Sequence, residues 1–330
     1  MCERIVLPCI LYHLFSENKS PNCYFHREIF MFSSKKRYSR TDLACESVEG
    51  VSDVSGTESR VYESFGFEVS LTRINTSEAA KRIGKPCGAY YSVFTGKTRI
   101  LSDDQRAELV SLTAELLREC IKNVTGKGDM SALTVLVAGI GNRNLTADAV
   151  GPFSVDGLTV TRALKYSNRE LFSRLKCADV SAIAPGVSAE TGIEAADIIL
   201  HAAHTVGADV IILIDALAAR SCSRLASTLQ ISDTGINPGS GIGNSRSAID
   251  RETMQIPVVT VGVPTVVDSA TLVYEALAES GAELGLCGEK LDRLLSTGKS
   301  FFVSPQDADV TVRDISSIIS QAVDLLCGTR

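Results

Sequence analysis

The chain has 330 residues, 45% of them hydrophobic, enough to bury one large core or two ordinary ones. A net charge of −6 argues against general affinity for nucleic acid, and no run of ~20 apolar residues is available to span a membrane. Ten Cys without a CxxC spacing, beside only four His, read as the reduced thiols of a cytoplasmic protein rather than as a disulfide framework or a zinc site.

Residues 1–40 differ from the rest. Seven basic and three acidic residues give them a local charge of +4, which leaves −10 for the remainder. Ile5–Phe15 is an apolar run, but Glu3 and Arg4 precede it and no small-residue cleavage site follows, so it does not read as a secretory signal. The segment reads as a structure-poor leader, with residues 41–330 as a single α/β domain. In 41–100, alternation such as Phe67-Glu68-Val69-Ser70-Leu71 suggests an antiparallel strand or two outside the main sheet. Ser102 is placed to cap a helix at Asp103-Asp104, whose apolar face carries Leu109, Leu112, Leu116, Leu117, Cys120 and Ile121.

Leu133–Ala138 is an apolar run of strand length, the pattern of a strand buried on both faces. Gly139 and Gly141 let the backbone turn tightly, and Asn142–Ala147 is a polar loop that leads to Asp148. Loops leaving the carboxyl ends of such strands build sites in open α/β sheets. A helix is expected over Asp156–Lys165, a strand over Val180–Ala184 and a helix over Thr191–His204 with Ile193, Ala196, Leu200 and Ala203 inward. His201 and His204 then fall on the helix surface, without a third ligand at metal spacing. Val210–Ile214 is a second buried strand and ends abruptly at Asp215. A buried strand-end carboxylate is costly unless hydrated, paired or functional. Two parallel strands bring Asp148 and Asp215 to one edge, where two carboxylates sharing a site keep one proton between them. Each Asp is also a common cap, which is the plainer reading.

Thr228–Ser232 reads as a strand, followed by the glycine-rich loop Asp233–Asn244. The loop lacks the Lys-Ser/Thr ending of a P-loop and the dinucleotide fingerprint. The backbone amides at Gly141 and Asn142, and at Gly239, Gly241 and Gly243, are candidate donors to an extended peptide or a developing oxyanion. Pro257–Val263 is a further strand that runs through Pro264-Thr265 into a helix from about Val266 to Ser280, with Asp268 as a helix-terminus carboxylate. A short strand, Phe301–Val303, and an amphipathic helix, Val310–Leu326, close the chain. Alternation of strands and helices from 133 to 280 points to a three-layer α/β fold. A mostly parallel central sheet is wrapped by helices, with a small β-rich addition on its N-terminal side.

Several segments resemble the germination protease family of spore-forming bacteria. They are Gly141-Asn142 through Thr146-Ala147-Asp148-Ala149-Val150-Gly151-Pro152, Ala184-Pro185-Gly186-Val187 with Thr191-Gly192, Ile214–Arg220, Thr234–Asn244 and Ile256–Asp268. Tyr38-Ser39-Arg40-Thr41-Asp42-Leu43-Ala44 resembles the junction that ends the family's pro-segment, which makes Ser39, Arg40 and Thr41 the processing region. The resemblance implies a homotetrameric endopeptidase of the spore core, made as a self-processing zymogen. It would degrade small acid-soluble spore proteins with no metal or other cofactor, on a fold similar to that of hydrogenase maturation proteases. It also implies that Asp148 and Asp215 are the two catalytic carboxylates. The alternatives are a maturation endopeptidase of the nickel-hydrogenase type and a non-catalytic anion-binding protein on the same scaffold.

Overall fold

The computed structural model describes residues 40–49, 51, 53–237, 247–279 and 301–329. The expected leader therefore lies outside the described residues, apart from Arg40. Two compact units are distinguished. One holds Arg40–Asp268 and Phe302–Arg330. The other, Met1–Ser39 with Ser269–Phe301, contributes a described helix over Ser269–Glu279.

In chain order the elements are α1 (Ala44–Glu49), β1 (Thr57–Ser64), β2 (Phe67–Ile74), α2 (Ser77–Ile83), β3 (Gly88–Phe94) and α3 (Asp103–Thr125). Then come β4 (Thr134–Gly139), α4 (Val150–Asp156), α5 (Arg162–Ser167), α6 (Arg169–Leu175), β5 (Asp179–Ile183), α7 (Ser188–Thr191) and α8 (Ala195–Val206). The chain ends with β6 (Val210–Ala219), β7 (Thr228–Ser232), α9 (Arg251–Met254), β8 (Val258–Asp268), α10 (Ser269–Glu279), β9 (Phe302–Val303) and α11 (Ala308–Cys327).

One mixed sheet joins these strands in the order β1-β2-β3-β7-β8-β6-β4-β5, with β9 added beside β8. Its centre, β5-β4-β6-β8, is parallel. Helices cover both faces. On one, Val135 and Val137 of β4 and Ile212 and Ile214 of β6 pack with Leu109, Leu117 and Ile121 of α3, Val150 of α4 and Ile315, Ile319 and Val323 of α11. On the other, Leu136 and Ala138 of β4 and Ile211 and Leu213 of β6 pack against Ala196, Ile199 and Ala203 of α8. The central strands thus alternate between two buried faces, which is why their sequences carry almost no polar residue. The three-layer α/β expectation describes this arrangement.

Four local expectations are corrected. The β-rich N-terminal strands do not stand outside the main sheet: β3 pairs antiparallel with β7, so β1–β3 extend it. The helix expected over Asp156–Lys165 is two helices, because Val150–Asp156 stops at Gly157 and Arg162–Ser167 starts anew. The one expected from Thr191 is interrupted by Gly192 in a left-handed turn, and Ile193 is exposed rather than inward. Finally, β8 runs through Pro264 to Asp268, and the following helix starts at Ser269 rather than Val266. A shift in the β6–β8 register accommodates this, since Pro264 pairs with Leu217 and Val266 with Ala218, so that Thr265 is the extra residue of a bulge.

Candidate functional site

β6 is longer than the sequence indicates, and that length shapes the site. β4 pairs with β6 only as far as Gly139 opposite Ile214. Beyond that point β6 continues to Ala219, and among the described residues β8 is the only strand paired with it. Asp215 is therefore not at the end of a strand, as expected, but within one, at the first position past the end of β4. It is 7% exposed, and its Oδ1 accepts the N–H of Ala216 at 2.9 Å. Its neighbours on the same face are Leu213, in the α8 cluster, and Leu217, in a separate cluster with Leu43, Cys45 and Ala219. Asp215 thus occupies the interval between two apolar clusters.

Asp148 reaches the same edge of the sheet by a different route. The N–H of Ile140 donates to the carbonyl of Ile214 at 2.8 Å, one residue before Asp215. Gly141 then takes φ +124°, and the N–H of Asn142 donates to Asp148 Oδ2 at 2.8 Å. Ile140 belongs to the α8 cluster and Val150 to the α3 cluster, so the intervening loop crosses the top of the sheet with the half-buried Asp148 on it. Close backbone approach fixes that crossing. A Cβ on Gly139 would lie 2.1 Å from the carbonyl oxygen of Gly151, and one on Gly151 would lie 2.6 Å from that of Ile214.

The 3₁₀ turn Thr146–Asp148 packs against β6, β8 and α11. The Thr265 hydroxyl, on the bulge of β8, donates to the carbonyl of Ala147 at 2.5 Å, and the Thr146 hydroxyl donates to Asp309 at the start of α11 at 2.6 Å. Within the loop, Asn142 Oδ1 accepts from the N–H of Asn144, Arg143 pairs with Asp156, and the Asn144 amide donates to Glu190. These links hold the carboxylate of Asp148 in one place before any substrate arrives.

Of the remaining sequence candidates, Gly141 and Asn142 adjoin Asp148, whereas Ser39, Gly239, Gly241 and Gly243 lie outside the described residues. Arg40 faces the buried carboxylate of Asp268 at 3.8 Å, and the Thr41 hydroxyl donates to Glu46. His201 and His204 are exposed on α8, and His201 Nδ1 contacts the carbonyl of Asp197. Among the described residues, no group of three or more His, Cys, Asp or Glu is arranged to hold a metal ion.

Sequence reasoning missed the surroundings of Asp215. A cavity of about 130 Å³ opens beside it, lined among others by Asp42, Lys85, Tyr90, Gln230 and Asp250. Asp42 is bound to β6 by main chain and side chain. Its N–H donates to Ala218 O at 2.8 Å, and its Oδ2 accepts the N–H of Ala218 at 2.9 Å. Lys85 Nζ stands 3.8 Å from Asp42 Oδ1. Burial pushes the Lys85 ammonium below its ordinary pKa, while Asp42 and Glu46 pull it back up. Burial likewise pushes the Tyr90 phenol well above its ordinary value. No periodicity points to Asp42 or Lys85, because both reach the cavity through contacts distant in sequence.

A family model described as germination protease matches residues 35–280. The germination protease of Priestia megaterium is 38% identical over 276 residues, covering 79% of this chain and 73% of that one. The chain belongs to the germination protease family. The germination protease of Caldanaerobacter subterraneus is 33% identical over 309 residues, covering 87% of this chain and 93% of the relative. That of Bacillus subtilis is 37% identical over 247 residues, covering 72% and 66%. A NiFe hydrogenase maturation protease from Thermococcus kodakarensis overlaps 52% of this chain and 94% of its own at 14% identity, with a TM-score of 0.26, too slight a likeness to bear on fold or activity. Membership makes the chain a peptidase of spore germination and disfavours both the hydrogenase-type and the non-catalytic alternatives. No helix among the described residues is long and apolar enough to cross a membrane.

Proposed function

We propose that this member of the germination protease family hydrolyses small acid-soluble spore proteins in the spore core with Asp148 and Asp215 as its catalytic pair. One carboxylate takes a proton from the attacking water and the other protonates the leaving amine. The observation that carries the reading is the ending of β4. It leaves Asp215 on a strand edge to which the Asp148 loop is tied through the Ile140–Ile214 bond. Gly141 and Asn142 supply backbone at the same place, and Gly239, Gly241 and Gly243 belong to a second loop assigned to the extended substrate. The basic leader ending at Ser39, Arg40 and Thr41 is the segment removed on activation, residues 41–330 form the peptidase domain, and the working enzyme is a homotetramer.

The test is digestion of a small acid-soluble spore protein by wild type, Asp148→Asn and Asp215→Asn, with and without chelator. Turnover should survive the chelator and fall by ~10²–10⁴ in each variant. Retained cleavage in either variant sinks the two-carboxylate assignment. A full-length chain as active as one beginning at Thr41 sinks the zymogen reading, and sedimentation velocity reads the assembly state.

A further inference from the structure

We propose that Thr265 is a positioning residue: from the bulge of β8 its hydroxyl sets the place of Asp148 relative to Asp215. The inference rests on the two-carboxylate reading above and names what holds that pair in register. Its ground is one bond between two elements. The Thr265 hydroxyl donates to the carbonyl of Ala147 at 2.5 Å. That carbonyl belongs to the peptide unit whose N–H is that of Asp148, and this N–H donates to the carbonyl of Leu145 at 2.8 Å. A peptide unit is planar, so bonds at both of its ends fix the plane from which the Cα of Asp148 projects.

A third bond acts on the carboxylate itself, from the N–H of Asn142 at 2.8 Å. Leu145 and Asn142 belong to the same loop as Asp148 and travel with it. Thr265 belongs to β8, the strand paired with Asp215, which stands opposite Gly262, three residues before Thr265. One strand pair therefore carries Asp215 directly and Asp148 through a hydroxyl. The bulge makes this possible. Leu217 pairs with Pro264 and Ala218 with Val266, which leaves Thr265 out of the ladder, and a bulge re-aims the side chain it frees. Thr265 is 1% exposed, and a hydroxyl buried to that degree keeps its protein partner.

The Ile140–Ile214 bond fixes where the loop leaves the sheet, eight residues before Asp148. Thr265 fixes where the loop returns. Acid–base catalysis needs each carboxylate within hydrogen-bond reach of the proton it moves, and a displacement of ~1 Å can cost ~10²-fold in turnover. Without the Thr265 hydroxyl, the turn Thr146–Asp148 is still tied by Thr146 to Asp309 of α11. The separation of the two carboxylates is then set by a helix packed on the sheet, not by the strand pair that carries Asp215. A bond that only satisfied a buried hydroxyl would contribute stability alone. This one also reaches the peptide unit of a catalytic carboxylate, so its loss falls on turnover.

The experiment measures kcat and KM on a small acid-soluble spore protein for the full chain as wild type, Thr265→Val, Thr265→Ala and Thr265→Ser. Val keeps the bulk of Thr and loses the hydroxyl, Ala serves should the Val variant unfold, and Ser retains the donor. Thr113→Val is the control for stability, since its buried hydroxyl donates to the carbonyl of Leu109 at 2.7 Å within α3. Thermal melts report folding. In Thr265→Val and Thr265→Ala, kcat should fall by roughly 10- to 10²-fold with KM within about twofold of wild type, and Thr265→Ser should recover it. Thr113→Val should lower the melt and leave kcat at the wild-type value. In the Asp148→Asn background, Thr265→Val should cost no further turnover, because the group it places is gone. Wild-type kcat in a folded Thr265→Val or Thr265→Ala overturns the role of Thr265, even where both Asp→Asn variants are strongly impaired. So does an equal loss in Thr113→Val, a change confined to KM, or a full second loss in the Asp148→Asn background. Retained turnover in Asp148→Asn instead overturns the two-carboxylate reading itself.

Discussion

At the scale of the residue, the backbone around Asp148 admits almost no substitution. Gly141 has φ +124°, and a Cβ there would stand 1.9 Å from the carbonyl oxygen of Asp148. Backbone in that region costs an L-residue about 1–3 kcal/mol, and overlap with a fixed carbonyl costs about as much again. Gly141→Ala should therefore lower the melting temperature and depress turnover together, because the loop relieves the clash by moving Asp148. Gly128→Ala is the control. Nothing lies within 4 Å of its added Cβ, so its stability should stay within about 0.5 kcal/mol of wild type. Differential scanning calorimetry beside a cleavage assay checks both. Equal behaviour of the two variants would mean that the loop is not held as described.

At the scale of the element, what could be read from the sequence depended on whether a local rule was sufficient. The strand at 134–139 and the helix at 103–125 follow from apolar pattern and capping alone. Ser102 accepts from the N–H of Gln105, while the Gln105 side chain accepts from the N–H of Ser102, which closes a capping box. Ser102→Ala should cost about 1 kcal/mol and lower the melting temperature by about 2–4 °C. Activity should not change, since α3 packs on the face away from Asp215. A melt unchanged from wild type would show that the box contributes nothing. Other elements followed from partners that no local rule shows. Asp215 reads as a strand terminator, yet β6 continues because β8 continues beside it after β4 has stopped. The strand reads as ending at Val263, yet the bulge at Thr265 lets it run on to Asp268. For the same reason both carboxylates were legible as residues at the carboxyl edge of the sheet, whereas Asp42 and Lys85 were not.

At the scale of the whole compact unit, the segment following the expected processing region is part of the wall of the site. Glu46 is 2% exposed, and its carboxylate accepts from the Thr41 hydroxyl, from Arg220 N–H at 2.8 Å and from Ser221 N–H at 2.9 Å. The Arg220 guanidinium returns bonds to the carbonyl of Glu46 and to the carboxylate of Glu49. One buried side chain thus fastens residues 41–46 to the end of β6, and Asp42 hangs on the same strand two residues nearer Asp215 than Arg220. Removing the carboxylate leaves two amide N–H groups without acceptors, at about 1–3 kcal/mol each. Glu46→Ala should accordingly destabilise the fold by ~2–4 kcal/mol, and it should also lower kcat/KM below the melting range, because Asp42 and Lys85 lose their fixed wall. Glu49 makes a neighbouring ion pair but is 54% exposed at its side chain, so Glu49→Ala should cost about 0–1 kcal/mol and leave turnover intact. Urea denaturation and steady-state kinetics on the two variants separate the contributions. If Glu46→Ala loses stability while its kcat/KM stays at the wild-type value, the segment is only a structural brace. A parallel loss makes it a component of the site that any N-terminal processing must spare.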